Sequence, residues 1–200
     1  LRPLLAGLDR ADSLALDPHK GLFLPYGTGA LLVRDGAALR AAHAATAEYL
    51  PPPAAEEFYD PAQYGPELSR DFRGLRVWLP VKLHGTAALR AAIAEKRRLA
   101  VEAAARLAEL PGLVLVAPPQ LSLFAFHLHR PGAGLEQDNA DTQRLLAAVN
   151  ARQRVMITAC AIDGRFLARV CVLSFRTRAE RVELAIQDIH EEAAAVLAGR

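Results

Sequence analysis

The sequence predicts an α/β fold that continues into a small α+β domain at its C-terminal end. Short apolar runs bounded by glycine and proline predict strands in the first 35 residues. The second half alternates amphipathic segments with apolar runs, the pattern of helices that pack on a sheet. A length of 200 residues corresponds to one domain or slightly more.

The first half is predicted to contain two strands, a helix and a long loop. The apolar runs assigned as strands are residues 11–16 and 29–33. Residues 35–47, rich in alanine, leucine and arginine, favour a helix, which the prolines at 51–53 terminate. No periodicity follows up to about Ser69, so this stretch is predicted as a loop of the kind that often forms a functional lid.

The second half is predicted as helix, two strands, helix, strand and helix. Thr86 can cap the first of these helices, which runs to about Leu110. The Thr-Arg-Ala-Glu sequence at 177–180 is a capping box that is predicted to open the last helix. The segments between them are assigned as strands 113–117, 121–129 and 166–174 and a helix at 139–151. The expected apolar faces are Leu89, Ile93, Ala100, Ala104 and Leu107 on the first helix, and Val182, Ile186, Ile189, Ala193 and Val196 on the last.

Charge and apolar content exclude several classes of partner. The 24 basic and 22 acidic residues leave a formal net charge of +2, and no basic run points to nucleic acid or an anionic membrane surface. No stretch of 18 apolar residues predicts a membrane span, and residues 1–5 lack the features of a signal peptide.

Cys160 and Cys171 lie in apolar surroundings without metal-ligand spacing, so we expect reduced core cysteines in a cytoplasmic protein. Because Leu1 is not a methionine, we expect the chain to be part of a longer one.

Lys20 is the first candidate functional residue. Three of the 24 basic residues are lysines, so a lysine retained against this arginine bias is a candidate for chemistry that arginine cannot perform. An isolated lysine is most often a solvated surface residue. A lysine that condenses with a carbonyl must instead be neutral, which requires burial or a neighbouring cation to lower its pKa from about 10.4. The flanking apolar runs favour burial of Lys20, but spacing alone leaves both interpretations open.

The sequence around Lys20 carries a specific motif. Residues 11–29 include Asp17-Pro18-His19-Lys20, and this segment resembles the cofactor-lysine segment of the group II pyridoxal-phosphate-dependent amino-acid decarboxylases. The resemblance continues through the arginine-rich residues 69–78, then Lys82-Leu83-His84-Gly85, and finally residues 169–177. It covers nearly the whole chain as the C-terminal part of such an enzyme. It implies a fold-type I architecture truncated at the N-terminus, with residues 1–80 ending the large cofactor domain and residues 81–200 forming the small domain.

The resemblance implies pyridoxal 5'-phosphate as the cofactor and assigns roles to the residues of the motif. Lys20 would bind the cofactor aldehyde, and His19 would help to hold its phosphate. Asp17 stands where aromatic decarboxylases often carry asparagine. Since a carboxylate repels a phosphate, we expect Asp17 to orient His19 or the turn through backbone hydrogen bonds.

A tyrosine is expected to complete the catalytic residues. Tyr49 lies 29 residues after Lys20, where the family places the tyrosine of its mobile catalytic loop. The resemblance implies that this phenol protonates the substrate carbon after carbon dioxide leaves. A tyrosine that packs beside the polyproline loop is the alternative, and Tyr59 or Tyr64 could also take the catalytic role.

Two arginines are candidates for substrate binding. Arg169 matches a strand arginine of the family's small domain, so it is expected to meet the substrate carboxylate or to support the active-site floor. A structural salt bridge is an equal alternative for Arg169. Arg70 lies in the arginine-rich segment and has a similar status. His127 and His129 alternate on a predicted strand without a third ligand, and no metal site is predicted.

The implied function is decarboxylation of an L-amino acid, aromatic or related, by a homodimer without nucleic-acid or membrane partners. An aldehyde-forming or lyase relative on the same scaffold is one alternative, and such aldehyde-forming relatives tend to carry phenylalanine in place of Tyr49. A non-catalytic dimerisation or interaction fragment is another. In the family, the histidine that stacks on the cofactor and much of the phosphate cup precede the lysine. We therefore expect the isolated chain to bind the cofactor poorly and to catalyse little.

Overall fold

A computed structural model of the chain describes residues 2–44 and 59–199, and the chain divides into two compact units. The first unit is Leu1–Leu83 and the second is His84–Arg200. The assignment of a cofactor domain and a small domain to these parts of the chain stays a prediction. Within the described residues, no helix is long and apolar enough to cross a membrane.

The first unit contains a two-stranded antiparallel sheet. Strand β1 is Ser13–Leu16 and strand β2 is Ala30–Val33, and Leu16 pairs with Ala30. Both strands lie inside the apolar runs that predicted them, because these runs are bounded by turn residues that confine the extended backbone. The other elements are helix α1, Pro18–Gly21, helix α2, Gly36–His43, and 3-10 helices at Arg2–Leu5, Leu8–Arg10 and Pro61–Tyr64.

Local capping explains where α1 and α2 begin. Pro18 occupies the first turn of α1, where its missing N–H has no helical partner to lose. The Asp35 carboxylate caps α2 by accepting hydrogen bonds from the backbone N–H groups two and three residues later, at 2.9 and 3.0 Å. The helix predicted at 35–47 is therefore present, although it ends at His43 and residues 45–47 lie outside the described part of the chain.

Helix α3, Arg73–Ala108, begins earlier than the sequence predicts. A helix begins after Gly85, as the prediction from Thr86 requires, but the chain is also helical before this break, and the sequence analysis missed that earlier stretch. Gly85 has φ 76° and ψ 159°, a conformation that is essentially restricted to glycine. The helix therefore resumes after Gly85, and the sequence prediction found only this second stretch.

The second unit contains a four-stranded antiparallel sheet with strand order β3-β4-β6-β5. The sequence analysis does not predict β5. Asp163 and Gly164 connect β5 to β6 with φ values of 49° and 76°, as a two-residue type I' turn requires. This Asp-Gly pair is the signal that could have located the strand. The strands are β3, Leu113–Leu115, β4, Leu123–Leu128, β5, Thr158–Ile162, and β6, Arg165–Cys171.

The hydrophobic core of the second unit lies between this sheet and three helices. Helix α4 is Leu135–Ala151 and helix α5 is Ala179–Leu197, and both share the core with the second stretch of α3. Truncation of a leucine in such a core costs about 2–5 kcal/mol. The sheet residues that contribute to the core alternate along their strands: Phe124, Phe126 and Leu128 on β4, and Ala168 and Val170 on β6.

The predicted apolar faces are confirmed for α5 and in part for α3. All five residues expected on α5 are buried. On α3, Ala100, Ala104 and Leu107 are buried as predicted, whereas Ile93 is 39% exposed and Leu89 is half-buried. The contacts of α3 with the core therefore begin about two turns later than the apolar pattern indicates.

The predicted capping box does not open α5. The N-cap of this helix is Arg178, which makes no side-chain capping hydrogen bond. The backbone carbonyl of Thr177 instead accepts a hydrogen bond at 2.6 Å from Nζ of Lys96, a residue that is 3% exposed. A long-range contact with α3 thus fixes the chain before α5, where a local capping pattern was expected.

Both cysteines are free, but they are not both core residues. Cys160 is half-buried, whereas Cys171 is exposed at the end of β6, so the prediction of a core position is wrong for Cys171. Cys160 pairs with Leu167, and Cys171 lies four residues further along β6. That offset corresponds to about 13 Å along the strand, which exceeds the Cα separation of a disulfide.

Candidate active site

Lys20 lies near the end of α1, the single helical turn that follows β1. The backbone around this turn is closed by hydrogen bonds from the N–H of His19 to the carbonyl of Thr28 at 3.3 Å and from the N–H of Leu24 to the carbonyl of Pro18 at 3.3 Å. Helix α1 and the loop that leaves it are thus tied together. This arrangement fixes the backbone of Lys20 and leaves its side chain 59% exposed.

The Lys20 amine forms an ion pair with Asp17. The distance from Lys20 Nζ to Asp17 Oδ2 is 2.6 Å, and both side chains are about half-exposed. The hydrogen bond and the charge of Asp17 raise the pKa of Lys20 and hold it in the ammonium form. The same hydrogen bond lowers the pKa of Asp17. The expectation that flanking apolar runs bury Lys20 is therefore wrong for this chain, because their side chains do not cover the amine.

His19 is oriented by Thr28 rather than by Asp17. Its Nδ1 lies 2.8 Å from the backbone carbonyl of Thr28, and a carbonyl only accepts, so Nδ1 carries the proton. The ring meets Tyr26 edge-on, with centroids 5.0 Å apart. Nε2 is the nitrogen left to face a ligand. Asp17 does not orient His19, but the other expected role is observed, because the backbone carbonyl of Asp17 accepts a hydrogen bond from the N–H of Lys20 at 2.9 Å and so holds the turn.

Thr28 is a supporting residue that sequence reasoning missed. It is 1% exposed, and its hydroxyl donates to the carbonyl of Pro25 at 2.9 Å. Its backbone carbonyl accepts hydrogen bonds from both the backbone N–H and the Nδ1–H of His19. The available signal is a threonine between two glycines, Gly27-Thr28-Gly29, directly after the motif.

The backbone next to Lys20 is strained. Phe23 has φ 60°, a left-handed conformation that is rare for a bulky residue. The N–H of Phe23 donates to the carbonyl of Lys20 at 3.2 Å, which holds the turn in this form. Such positions cost about 1–3 kcal/mol and cluster at functional sites.

The remaining candidates of the first unit are only partly described. Tyr49 lies outside the described residues. Tyr59 and Tyr64 stack on each other with ring centroids 4.7 Å apart. Arg70 donates to the backbone carbonyl of Pro61, so it braces the 3-10 helix that contains Tyr64.

Arg169 lies on β6 in the second unit. Its neighbours Ala168 and Val170 point into the core, so Arg169 is on the opposite face of the sheet. Its Nε donates to the hydroxyl of Thr158, the residue paired with it on β5, at 3.0 Å. Within the described part of the chain no carboxylate lies within ion-pair distance of Arg169. Among the residues that the structure describes, the terminal guanidinium nitrogens make no hydrogen bond, so they can bind an anion.

The two predicted strand histidines serve structural contacts. His129 Nδ1 lies 2.9 Å from Asp138, and buried His127 lies 3.4 Å from the guanidinium of Arg165. Burial alone would raise the pKa of Asp138, but hydrogen bonds from His129 and the backbone of Arg130 lower it. The described residues contain no group of three or more His, Cys, Asp or Glu side chains arranged to hold a metal ion.

The strand, the one-turn helix with its exposed lysine and the α+β unit that follows define a class of cofactor-dependent enzyme domain. The chain belongs to the pyridoxal-dependent decarboxylase family: the model for the pyridoxal-dependent decarboxylase conserved domain matches residues 1–129. This match confirms the family that the motif at Lys20 predicts.

Individual relatives agree with this family. An aromatic-L-amino-acid decarboxylase of Bacillus atrophaeus is 33% identical over 90% of this chain and 38% of its own length. A phenylacetaldehyde synthase of Arabidopsis thaliana is 26% identical over 98% of this chain and 40% of its own length. The structure of Oryza sativa TDC with PLP and tryptamine has the same fold, with a TM-score of 0.89 and 23% identity over 96% of this chain and 40% of that one. The chain thus spans about two-fifths of the length of the relatives it matches.

Proposed function

We propose that this chain is part of a pyridoxal-phosphate-dependent enzyme that decarboxylates an aromatic or related L-amino acid to the amine and carbon dioxide. The observation that carries the proposal is the Asp17-Pro18-His19-Lys20 turn, which presents an accessible primary amine beside an oriented imidazole. Membership of the family and the 33% identity with a bacterial aromatic-L-amino-acid decarboxylase support it.

The residues of the turn fit the proposed cofactor. Lys20 presents an exposed amine that can attack an aldehyde. The Nδ1–H of His19 donates to the backbone carbonyl of Thr28. A ring that also carries a proton on Nε2 would donate from Nε2 to a phosphate oxygen. When bound, pyridoxal phosphate supplies an electron sink for the bond that breaks.

Asp17 holds Lys20 in position but does not take its proton. The pKa of Asp17 is lowered by the hydrogen bond from Lys20, so its carboxylate is a weak base. The proton that Lys20 must lose before it reacts therefore passes to solvent or substrate. We assign Asp17 the role of a positioning residue, and Lys20 and His19 the contacts with the cofactor.

The other roles follow the resemblance. Tyr49 is proposed to return a proton to the substrate carbon. Arg169 and Arg70 are proposed to contact the amino acid. Among the described residues, the terminal nitrogens of Arg169 make no hydrogen bond, whereas Arg70 donates to the carbonyl of Pro61. We further propose a cytoplasmic homodimer, with residues 1–80 in the cofactor domain and 81–200 in the small domain.

An aldehyde-forming enzyme is the second candidate function. The phenylacetaldehyde synthase relative favours it, because 98% of this chain aligns with 40% of that protein. Tyr49 favours the decarboxylase, since the resemblance associates phenylalanine at this place with aldehyde formation. Product analysis separates the two, because one enzyme releases the amine and the other the aldehyde. In the protein that contains this chain, the Tyr49→Phe variant should shift the product from amine towards aldehyde.

Borohydride trapping tests the cofactor site directly. The protein that contains this chain is mixed with pyridoxal phosphate and reduced, and mass spectrometry locates the resulting adduct. The adduct should form on Lys20, survive in Lys82→Arg and Lys96→Arg, and disappear in Lys20→Arg. These three residues are the lysines of the 200-residue sequence, so the two control variants cover the other lysine amines of this part of the protein. Equal labelling of the three lysines would contradict the proposal.

A further inference from the structure

A cavity of about 130 Å³ lies within the second unit, between the sheet and helices α3 and α5. Its lining includes Met156, which is 81% exposed, so the cavity opens to solvent on one side. The proposed function does not use it. Its deep walls are buried apolar side chains, among them Leu107, Phe124, Ile157, Val172, Ile186 and Ile189.

The volume and lining of the cavity suit one aromatic ring. An apolar cavity of about 150 Å³ lined by Leu, Ile and Phe stays dry and binds benzene. A water molecule in the deep part of the cavity would make few hydrogen bonds, because the walls there are apolar. A ring would restore the dispersion contacts that the walls lack. Cys171 also lines the cavity, and partial burial raises the pKa of its thiol, which keeps this part of the wall uncharged.

The polar part of the lining favours an anion. Arg181 lines the cavity and donates one hydrogen bond, from an Nη to the carbonyl of Arg154 at 2.9 Å. The other N–H groups of the Arg181 guanidinium remain available as donors. They lie in one plane, in an arrangement that can bind both oxygens of a carboxylate. Thr177 lines the cavity as well, and its hydroxyl does not cap α5.

We propose that this cavity binds a small aromatic carboxylate, with the ring among the core side chains and the carboxylate at Arg181. The apolar walls select the ring, and the guanidinium selects the charge. This binding site does not depend on Lys20 or on the proposed decarboxylation.

Phenylacetate is the probe, and its neutral counterpart phenylacetamide is the matched ligand. Methyl NMR signals of Ile157, Ile186 and Ile189 should shift saturably when phenylacetate is added to the 200-residue chain. Phenylacetate should bind about threefold more tightly than phenylacetamide, the effect of one solvent-accessible ion pair. The absence of methyl shifts at millimolar phenylacetate would overturn the site, and equal affinities would overturn the assignment of a carboxylate.

Three variants separate the two parts of the proposal. Ala185→Leu fills the cavity from α5 and should abolish the methyl shifts, whereas Ala194→Leu places the same side chain on the exposed face of α5 and should not. Arg181→Gln leaves the apolar walls intact and should make the affinities for phenylacetate and phenylacetamide equal. A preference for phenylacetate that survives Arg181→Gln would overturn the role of Arg181.

Discussion

At the scale of single residues, the contact between Asp17 and Lys20 sets the charge of the reactive amine. The Asp17→Asn variant preserves the shape of the side chain and removes its negative charge. Because that charge favours the ammonium form, the pKa of Lys20 should fall and its neutral fraction at a given pH should rise. Lys20 should then react faster with an aldehyde at neutral pH. NMR titration of carbon-13-methylated lysines measures the effect, and an unchanged titration of Lys20 would contradict the pairing.

The hydroxyl of Thr158 orients Arg169. Thr158→Val removes the acceptor for Arg169 Nε while keeping the size of the side chain, and Thr158→Ser keeps the hydroxyl. Loss of one hydrogen bond to a charged group corresponds to about a tenfold change in affinity. In the protein that contains this chain, the valine variant should therefore raise KM for the amino acid about tenfold with little change in kcat.

A second measurement distinguishes the hydrogen bond between Arg169 and Thr158 from the role of Arg169 in substrate binding. Nitrogen-15 NMR should show faster exchange of the Arg169 Nε proton in Thr158→Val than in Thr158→Ser. If exchange accelerates and KM does not change, the hydrogen bond exists but Arg169 does not bind the substrate. If neither changes, the hydrogen bond itself is contradicted.

The sequence identifies the reactive turn but not the environment of its side chains. The order Asp17-Pro18-His19-Lys20 predicts the turn because proline and glycine restrict the backbone locally. The exposure of Lys20 depends on which side chains cover it, and apolar runs on either side do not determine that. Thr28 was missed for a related reason: it acts through its backbone carbonyl, which every residue possesses.

At the scale of an element, Gly85 permits the break in α3. Its φ of 76° and ψ of 159° cost any residue with a Cβ about 1–3 kcal/mol. No atom lies within 4 Å of the position that this Cβ would occupy, so the effect should come from the backbone alone. Gly85→Ala should lower the free energy of unfolding by that amount, as measured by urea denaturation.

Gly134→Ala is the matched control for this prediction. Gly134 also belongs to the second unit and also has open space around its Cβ position. Its φ of −84° and ψ of 172° are open to any residue, so alanine there causes no backbone strain and costs only the exchange of a glycine N-cap of α4 for alanine, about 0.5–1 kcal/mol. Equal effects of the two substitutions would refute backbone strain at Gly85.

Elements with strong local patterns are predicted well, and those fixed by distant contacts are not. Helix α5 shows an unbroken apolar period, and its buried face is confirmed. Its exact start was wrong because Lys96, more than 80 residues away, binds the carbonyl of Thr177. Strand β5 has the sequence Thr-Ala-Cys-Ala-Ile, which contains one large apolar residue, so its pattern was weak.

At the scale of the whole molecule, three buried carboxylates make the second unit sensitive to acid. Asp138, Asp141 and Asp188 are each at most 3% exposed. Burial alone would raise the pKa of Asp188, but hydrogen bonds from Arg154 and Arg152 lower it below its ordinary value of 3.8. The pKa of Asp141 is lowered in the same way by Arg130 and Arg144. A lowered folded-state pKa stabilises the fold above the unfolded value, and this stability is lost as pH falls through the folded value.

The free energy of unfolding of the second unit should therefore change little from these groups between pH 7 and about pH 5, and decrease below about pH 4. Asp188→Asn should lower the free energy of unfolding by about 1–3 kcal/mol at neutral pH, because the partly exposed Arg154 loses its carboxylate partner and Arg152 keeps only Glu191 and Glu192. It should also flatten the decline in acid. Urea denaturation followed by circular dichroism at several pH values tests both effects, and an equally steep decline in the variant would contradict the assignment.

The uneven distribution of the core has a consequence for how substitutions affect the protein. Among the first-unit residues whose burial the structure describes, the buried apolar side chains are Pro18 and Leu24, whereas the core cluster comes entirely from the second unit. In a scan of all single substitutions, loss of cellular abundance should concentrate after residue 83. Around α1, variants should be present at normal levels and yet inactive. Two assays on one library, abundance and turnover, would thus separate the part of the chain that maintains the fold from the part that performs the chemistry.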